Sequence, residues 1–116
     1  MPVRADGASW LLSLEASVDN LLHASDVALS ANTPRAVTLP ALRPTMADRA
    51  AAIAARPGVD AALVRYDPDP VIDLQFARHP PLLTPAADAL GFRHDGDLGR
   101  LVERVLATIQ SQEATA

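Results

Sequence analysis

The 116-residue chain contains neither lysine nor cysteine, few aromatic residues and few glycines. Without cysteine it has no disulfide framework and no thiolate to serve as a metal ligand or nucleophile. All ten cationic side chains are arginines, scattered and outnumbered by fourteen acids for a net charge of −4, so the electrostatic footprint of a nucleic-acid binder is missing. No apolar run approaches the length of a membrane span, and no basic-then-apolar leader pattern opens the chain. A soluble cytoplasmic protein is the expectation, with no nucleic-acid and no membrane partner. The five glycines stand singly, so there is no glycine-rich phosphate loop. One tryptophan, one tyrosine and two phenylalanines leave bulky core material thin, although 49 % of the residues are hydrophobic. A chain of this length allows one domain, which buries roughly 60–70 % of its unfolded surface.

What is present reads as short helices punctuated by proline. Leu14, Val18, Leu21, Leu22 and Ala28 recur at helical spacing, with Glu15, Asp19 and Asn20 on other faces and Ser13 as N-cap, which predicts a first helix to about Ser30. Asn32-Thr33-Pro34 breaks it. Ala36–Leu39, closed by Pro40, reads as a short strand. Thr45 with Asp48 makes a capping box for a helix to about Arg56, stopped by Pro57-Gly58. Ala61–Tyr66 reads as a second strand, and Asp67-Pro68 as the cap and first residue of a short helix through Ile72 and Leu74. Thr84-Pro85 repeats that signature before a helix ending at Gly91. From Asp97 to about Gln110, Leu98, Leu101, Val102, Val105 and Ile109 form one stripe, and residues 111–116 should fray. The expected fold class is therefore α/β, a two-stranded element with about five helices. Two strands do not make an independently stable sheet, so residues 1–116 read as a single incomplete domain.

The chemistry is sparse. Asp19 and His23 stand four apart on a helix, a spacing that could orient an imidazole for proton transfer and that more often makes a plain helix contact. His79 lies between Arg78 and two prolines, in irregular chain of the kind that lines sites. His94 belongs to a turn. No pair of histidines has metal-ligand spacing, and Asp67, Asp69 and Asp73 miss the calcium-loop pattern because Pro68 and Pro70 interrupt it. No Gly-x-Ser-x-Gly elbow exists. Arg78 suits capture of a carboxylate or phosphate, although an exposed solubilising arginine is the plainer reading. No self-contained active site emerges: the expectation is no catalytic, metal-binding or cofactor-binding residue in this chain.

The order of motifs is nevertheless distinctive. Ser9-Trp10-Leu11-Leu12-Ser13, Val18-Asp19-Asn20-Leu21-Leu22-His23-Ala24 and Arg35-Ala36-Val37-Thr38-Leu39-Pro40 together resemble the C-terminal part of an extended short-chain dehydrogenase/reductase. Tyr66-Asp67-Pro68-Asp69-Pro70 and Ala89-Leu90-Gly91-Phe92 continue the likeness, which runs from about residue 9 to 110. The D-erythronate dehydrogenase branch, often described as NAD-dependent epimerases/dehydratases, is the nearest in pattern. The resemblance implies a substrate-binding region whose full-length relatives add a Rossmann domain carrying NAD or NADP and a catalytic Tyr-x-x-x-Lys pair. With one tyrosine, Tyr66, and no lysine, this chain lacks that pair, and no cofactor is expected to bind the chain alone. The implied substrate is a sugar acid or related sugar derivative, and the implied substrate-binding residues are Ser13, Arg78 and His79. Two departures stand out: Ser13-Leu14-Glu15 where relatives have Ser-Pro-Arg, and Arg78-His79-Pro80 where they have Ser-Trp-Pro. The alternative reading is a free-standing, homo-oligomerising module, associating through the first helix or the Leu98/Leu101/Val105/Ile109 stripe.

Overall fold

A computed structural model describes residues 1–115. They form five α-helices and one short 3-10 turn, divided between two compact units. One unit comprises Met1–Leu11 with Arg43–Pro81, the other Leu12–Leu42 with Leu82–Ala116.

In the first unit the N-terminal residues run extended and are gripped on both sides. Ala8 forms an antiparallel bridge with Thr45 and a parallel bridge with Arg78. Its N–H donates to Ala77 O at 2.8 Å, and its carbonyl accepts from His79 N–H at 3.1 Å. Further back, Asp67 and Asp69 N–H donate to the carbonyls of Met1 and Pro2. The chain's first helix, α1 (Leu14–Asp26), belongs to the other unit; here stand α2 (Met46–Ala54) and α3 (Pro70–Phe76). α2 starts at a complete capping box, with Asp48 N–H donating to Thr45 Oγ1 and Thr45 N–H to Asp48 Oδ2. Val3, Met46 and Ala77 form a small apolar cluster, with Ile72 packed on it. Gly7 is required there, because a Cβ on it would lie 2.5 Å from Ala77 Cβ.

The second unit holds α1 (Leu14–Asp26), α4 (Pro85–Ala89) and α5 (Leu98–Thr115). Its interior is rich in polar groups: Ser13, Asn20, Thr84 and Asp95 are buried, beside Ala16, Pro40, Ala87, Phe92 and Leu101.

Several expectations are corrected by this architecture. Neither expected strand forms, so in place of the two-stranded α/β element the regular structure is helical. Ala36–Leu39 carries no ladder, and the prolines at positions 34 and 40 remove donors on either side of it. Ala61–Leu63 coils into the 3-10 turn because the Asp60 carboxylate caps Ala62 N–H at 2.9 Å. α1 ends at Asp26, four residues early, and α2 stops at Ala54. The cap of α3 is Asp69 with Pro70, one Asp-Pro step after the expected Asp67-Pro68. α5 continues through Thr115 where fraying from 111 was expected; Ala116 lies outside the described residues. On α1, Ala16 and Asn20 point inward, while Leu14, Leu21 and Leu22 are 65, 69 and 63 % exposed.

Candidate functional site

In the second unit the sequence places Ser13 immediately before α1, with extended dihedrals that leave its hydroxyl free to cap. Ser13 Oγ accepts from Ala16 N–H at 3.0 Å and donates to Asp95 Oδ1 at 2.5 Å. Ser13 N–H donates to Asp95 Oδ2 at 2.9 Å, and Arg104 Nη1 on α5 donates to Asp95 Oδ1 at 2.9 Å. Burial pushes the Asp95 carboxyl up, but the Ser13 hydroxyl and N–H and the Arg104 guanidinium outweigh it and hold the group below the ordinary carboxylate range. Asp95, 1 % exposed, is thus the hub that ties α1 to α5. The sequence reading passed over it; its one local sign is a carboxylate just before Gly96, which adopts φ +95° to turn the chain into α5.

Two further clamps fix the loop before Asp95. The Asn20 amide donates to Arg93 O at 2.8 Å and accepts from Arg93 N–H at 3.1 Å. His23 Nε2–H donates to Leu90 O at 2.6 Å, and its ring meets Phe92 edge-on at 5.0 Å. His23 is therefore a structural tie rather than half of an Asp19–His23 proton relay. His94 Nδ1 accepts from Gly96 N–H at 2.9 Å and closes the expected turn.

Beside these clamps lies a cleft of about 280 Å³ lined by Asp19, His23, Arg93, His94, Arg100 and Arg104 among others. Three arginines and one carboxylate, Asp19, line it. Arg104 is paired with Asp95 and approached by Glu15 at 3.7 Å, and Asp19 also stabilises its charged form, whereas Arg93 and Arg100 enter no ion pair among the described residues.

In the first unit Arg78 and His79 follow the Ala77 end of α3. Arg78 Nε donates to Asp73 Oδ2 at 3.1 Å, yet the side chain stays 56 % exposed. Asp73 is held below the ordinary carboxylate range, first by the Arg4 N–H at 2.8 Å and then by Arg78, against an opposing push from burial. Asp69 is spent on capping α3, so the Asp67, Asp69 and Asp73 series is built into structure. Among the described residues, no group of three or more His, Asp or Glu could hold a metal ion.

His79 packs edge-on against Trp10, ring centroids 4.8 Å apart. The Trp10 indole N–H donates to Pro80 O at 2.8 Å, which fixes the ring, and Arg43 Nε donates to His79 O at 2.9 Å. On the other flank, Arg49 reaches Ser9, bonding both its carbonyl and its hydroxyl, and burial lowers the Arg49 pKa. Two buried side-chain nitrogens have no partner among the described residues, His79 Nδ1 and Arg49 Nε. Of the three expected substrate-binding residues, Arg78 and His79 are neighbours here, whereas Ser13 belongs to the other unit and is sealed by its own hydrogen bonds.

The starts of α1, α2 and α5 are closed by the chain's own side chains, Ser13, Thr45 and Asp97, the last accepting from Arg100 N–H at 2.8 Å. No helix among the described residues is long and apolar enough to cross a membrane.

No protein-family model matches the chain, and no curated protein matches it. Among solved structures, the fold is similar to that of a nucleoside-diphosphate-sugar epimerase from Agrobacterium tumefaciens, with a TM-score of 0.74 at 24 % identity over 88 % of this chain. At that identity the likeness is one of fold. The chain spans 31 % of the epimerase's length.

Proposed function

We propose that this chain is the substrate-binding portion of an NAD- or NADP-dependent epimerase or oxidoreductase acting on a sugar acid or other sugar derivative. The observation that carries the reading is the likeness over nearly the whole chain to about a third of a nucleoside-diphosphate-sugar epimerase. The motif order of a short-chain dehydrogenase/reductase supports it, and the D-erythronate-type substrate stays within its range. In this reading the chain binds and orients substrate through Arg78 and His79. The nucleotide and the Tyr-x-x-x-Lys pair come from a partner half, because these residues provide neither, and the chain alone does not turn over.

The outward face of α1 supports the same reading. Leu14, Val18, Leu21 and Leu22 form a contiguous apolar stripe that nothing in the described chain covers, and such stripes mark surfaces evolved to be covered. The occupant we assign is the nucleotide-binding half, since the similar epimerase carries more than two thirds of its length beyond the matched region. Mixing the chain with a separately produced epimerase-type nucleotide-binding half and NAD should restore hydride transfer to sugar substrates, read as a change in nicotinamide absorbance. No restored absorbance change across sugar acids and nucleotide sugars would contradict the proposal.

A second reading is favoured by the same stripe: a homo-oligomer formed through α1. A stable dimer by light scattering that Leu21→Asp dissolves would support it against the first.

A further inference from the structure

In the pocket beside Arg4 and Arg78 both cations are paired, with Asp6 and Asp73. Around Trp10, on the rim of the first unit, the situation differs. The indole is more than a third exposed, at 39 %, yet its edge is locked by the bond to Pro80 O and by the His79 ring. A locked, exposed aromatic face loses little entropy on stacking against a ring. Arg43 stands beside it, exposed and in no ion pair among the described residues. It is held in place through Nε by His79 O, which leaves its terminal nitrogens free. The two orphaned buried nitrogens lie on either flank: His79 packs on Trp10 itself, and Arg49 bonds to the preceding residue, Ser9.

We propose that Trp10 is a stacking platform for a sugar ring carrying one anionic group, with Arg43 binding the anion and His79 bracing the indole. The ring stacks on the exposed indole face, where its C–H bonds meet the π-cloud. The guanidinium takes a carboxylate or phosphate by paired N–H···O bonds. Both a sugar acid and a sugar phosphate satisfy this chemistry. The proposal rests on the reading of the chain as a sugar-binding portion and adds the residues that recognise the ring.

The test uses the intact chain, whose single tryptophan reports on the site directly. Tryptophan emission is followed during titration with D-glucuronate, glucose 1-phosphate and neutral D-glucose. The expected result is a saturable change with at least one anionic sugar, weakened about tenfold by Arg43→Gln and untouched by Arg35→Gln, which removes the same charge from the other unit. A response to D-glucuronate alone identifies a sugar acid, and one to glucose 1-phosphate alone a sugar phosphate. Trp10→Phe keeps a stacking ring, and calorimetry should still detect its binding of the anionic sugar more weakly. Silence towards all three sugars at millimolar concentration overturns the proposal, as does an equal response to glucose that Arg43→Gln leaves unchanged. Because no nucleotide half is needed, failed hydride transfer with intact sugar binding would sink the enzyme reading and leave this site standing.

Discussion

The two units of this chain are held together by different physics. The unit of Met1–Leu11 and Arg43–Pro81 threads an extended segment between flanking chain, satisfies it with backbone hydrogen bonds, and seals one end with Val3, Met46 and Ala77. The unit of Leu12–Leu42 and Leu82–Ala116 buries four polar side chains, Ser13, Asn20, Thr84 and Asp95, and turns its best apolar stripe to the outside. A unit of the first kind tolerates polar loss and suffers from cavities. A unit of the second kind depends on a network in which each group needs every other.

The sharpest way to break the contrast is Asp95→Ala. It orphans the Ser13 N–H and hydroxyl and leaves Arg104 without its buried partner, so it should cost about 3–5 kcal/mol. Urea unfolding would measure this, and the loss of protection should appear in amide exchange of α1 and α5. Met46→Ala attacks the other unit through its apolar cluster and should cost about 2–3 kcal/mol, with lost protection in α2 and α3. Reversed patterns of protection would refute the contrast. Acid sharpens it further. The folded Asp95 pKa is depressed, so its stabilisation is complete above the unfolded value of about 3.9 and is lost as pH falls through the folded value. Stability should therefore fall below about pH 4, and less steeply in Asp95→Asn, as thermal melts across pH would record. Asp73, also depressed, gives the first unit its own share of that acid loss. The smallest effect is expected from Leu21→Gln, within about 0.5 kcal/mol in the isolated chain, because its side chain already faces water.

Local rules in the sequence located the helix starts well. Ser13, Thr45 with Asp48, and Pro85 open helices as their residue types predict. Thr84 departs from the pattern in detail, its hydroxyl donating to Asp88 Oδ1 in place of a backbone cap. What failed was everything that depends on distant partners. Ala36–Leu39 is compatible with a strand and finds no ladder. Leu14, Leu21 and Leu22 have the spacing of a core face and none of the cover. In α1 the inward positions are instead Ala16 and Asn20, small and polar residues whose role appears only once Arg93 and Asp95 approach from more than seventy residues away. The same holds at the candidate site. Arg78 and His79 were legible as an irregular basic segment, but Trp10 and Arg43 join them through bonds to Pro80 O and His79 O that no local pattern announces. The sequence reads the first helix as a candidate contact surface, and its Leu14, Leu21 and Leu22 stripe is exposed in the structure.

Since the chain has no cysteine, Leu21→Cys would introduce a unique thiol at the centre of that stripe. Its rate of modification by a water-soluble thiol reagent measures whether the face is covered. The account predicts rapid labelling of the chain alone at every concentration, and strong protection when an epimerase-type nucleotide-binding half is added. Labelling that stays equally rapid with that half present, or protection that grows with the chain's own concentration, would contradict it.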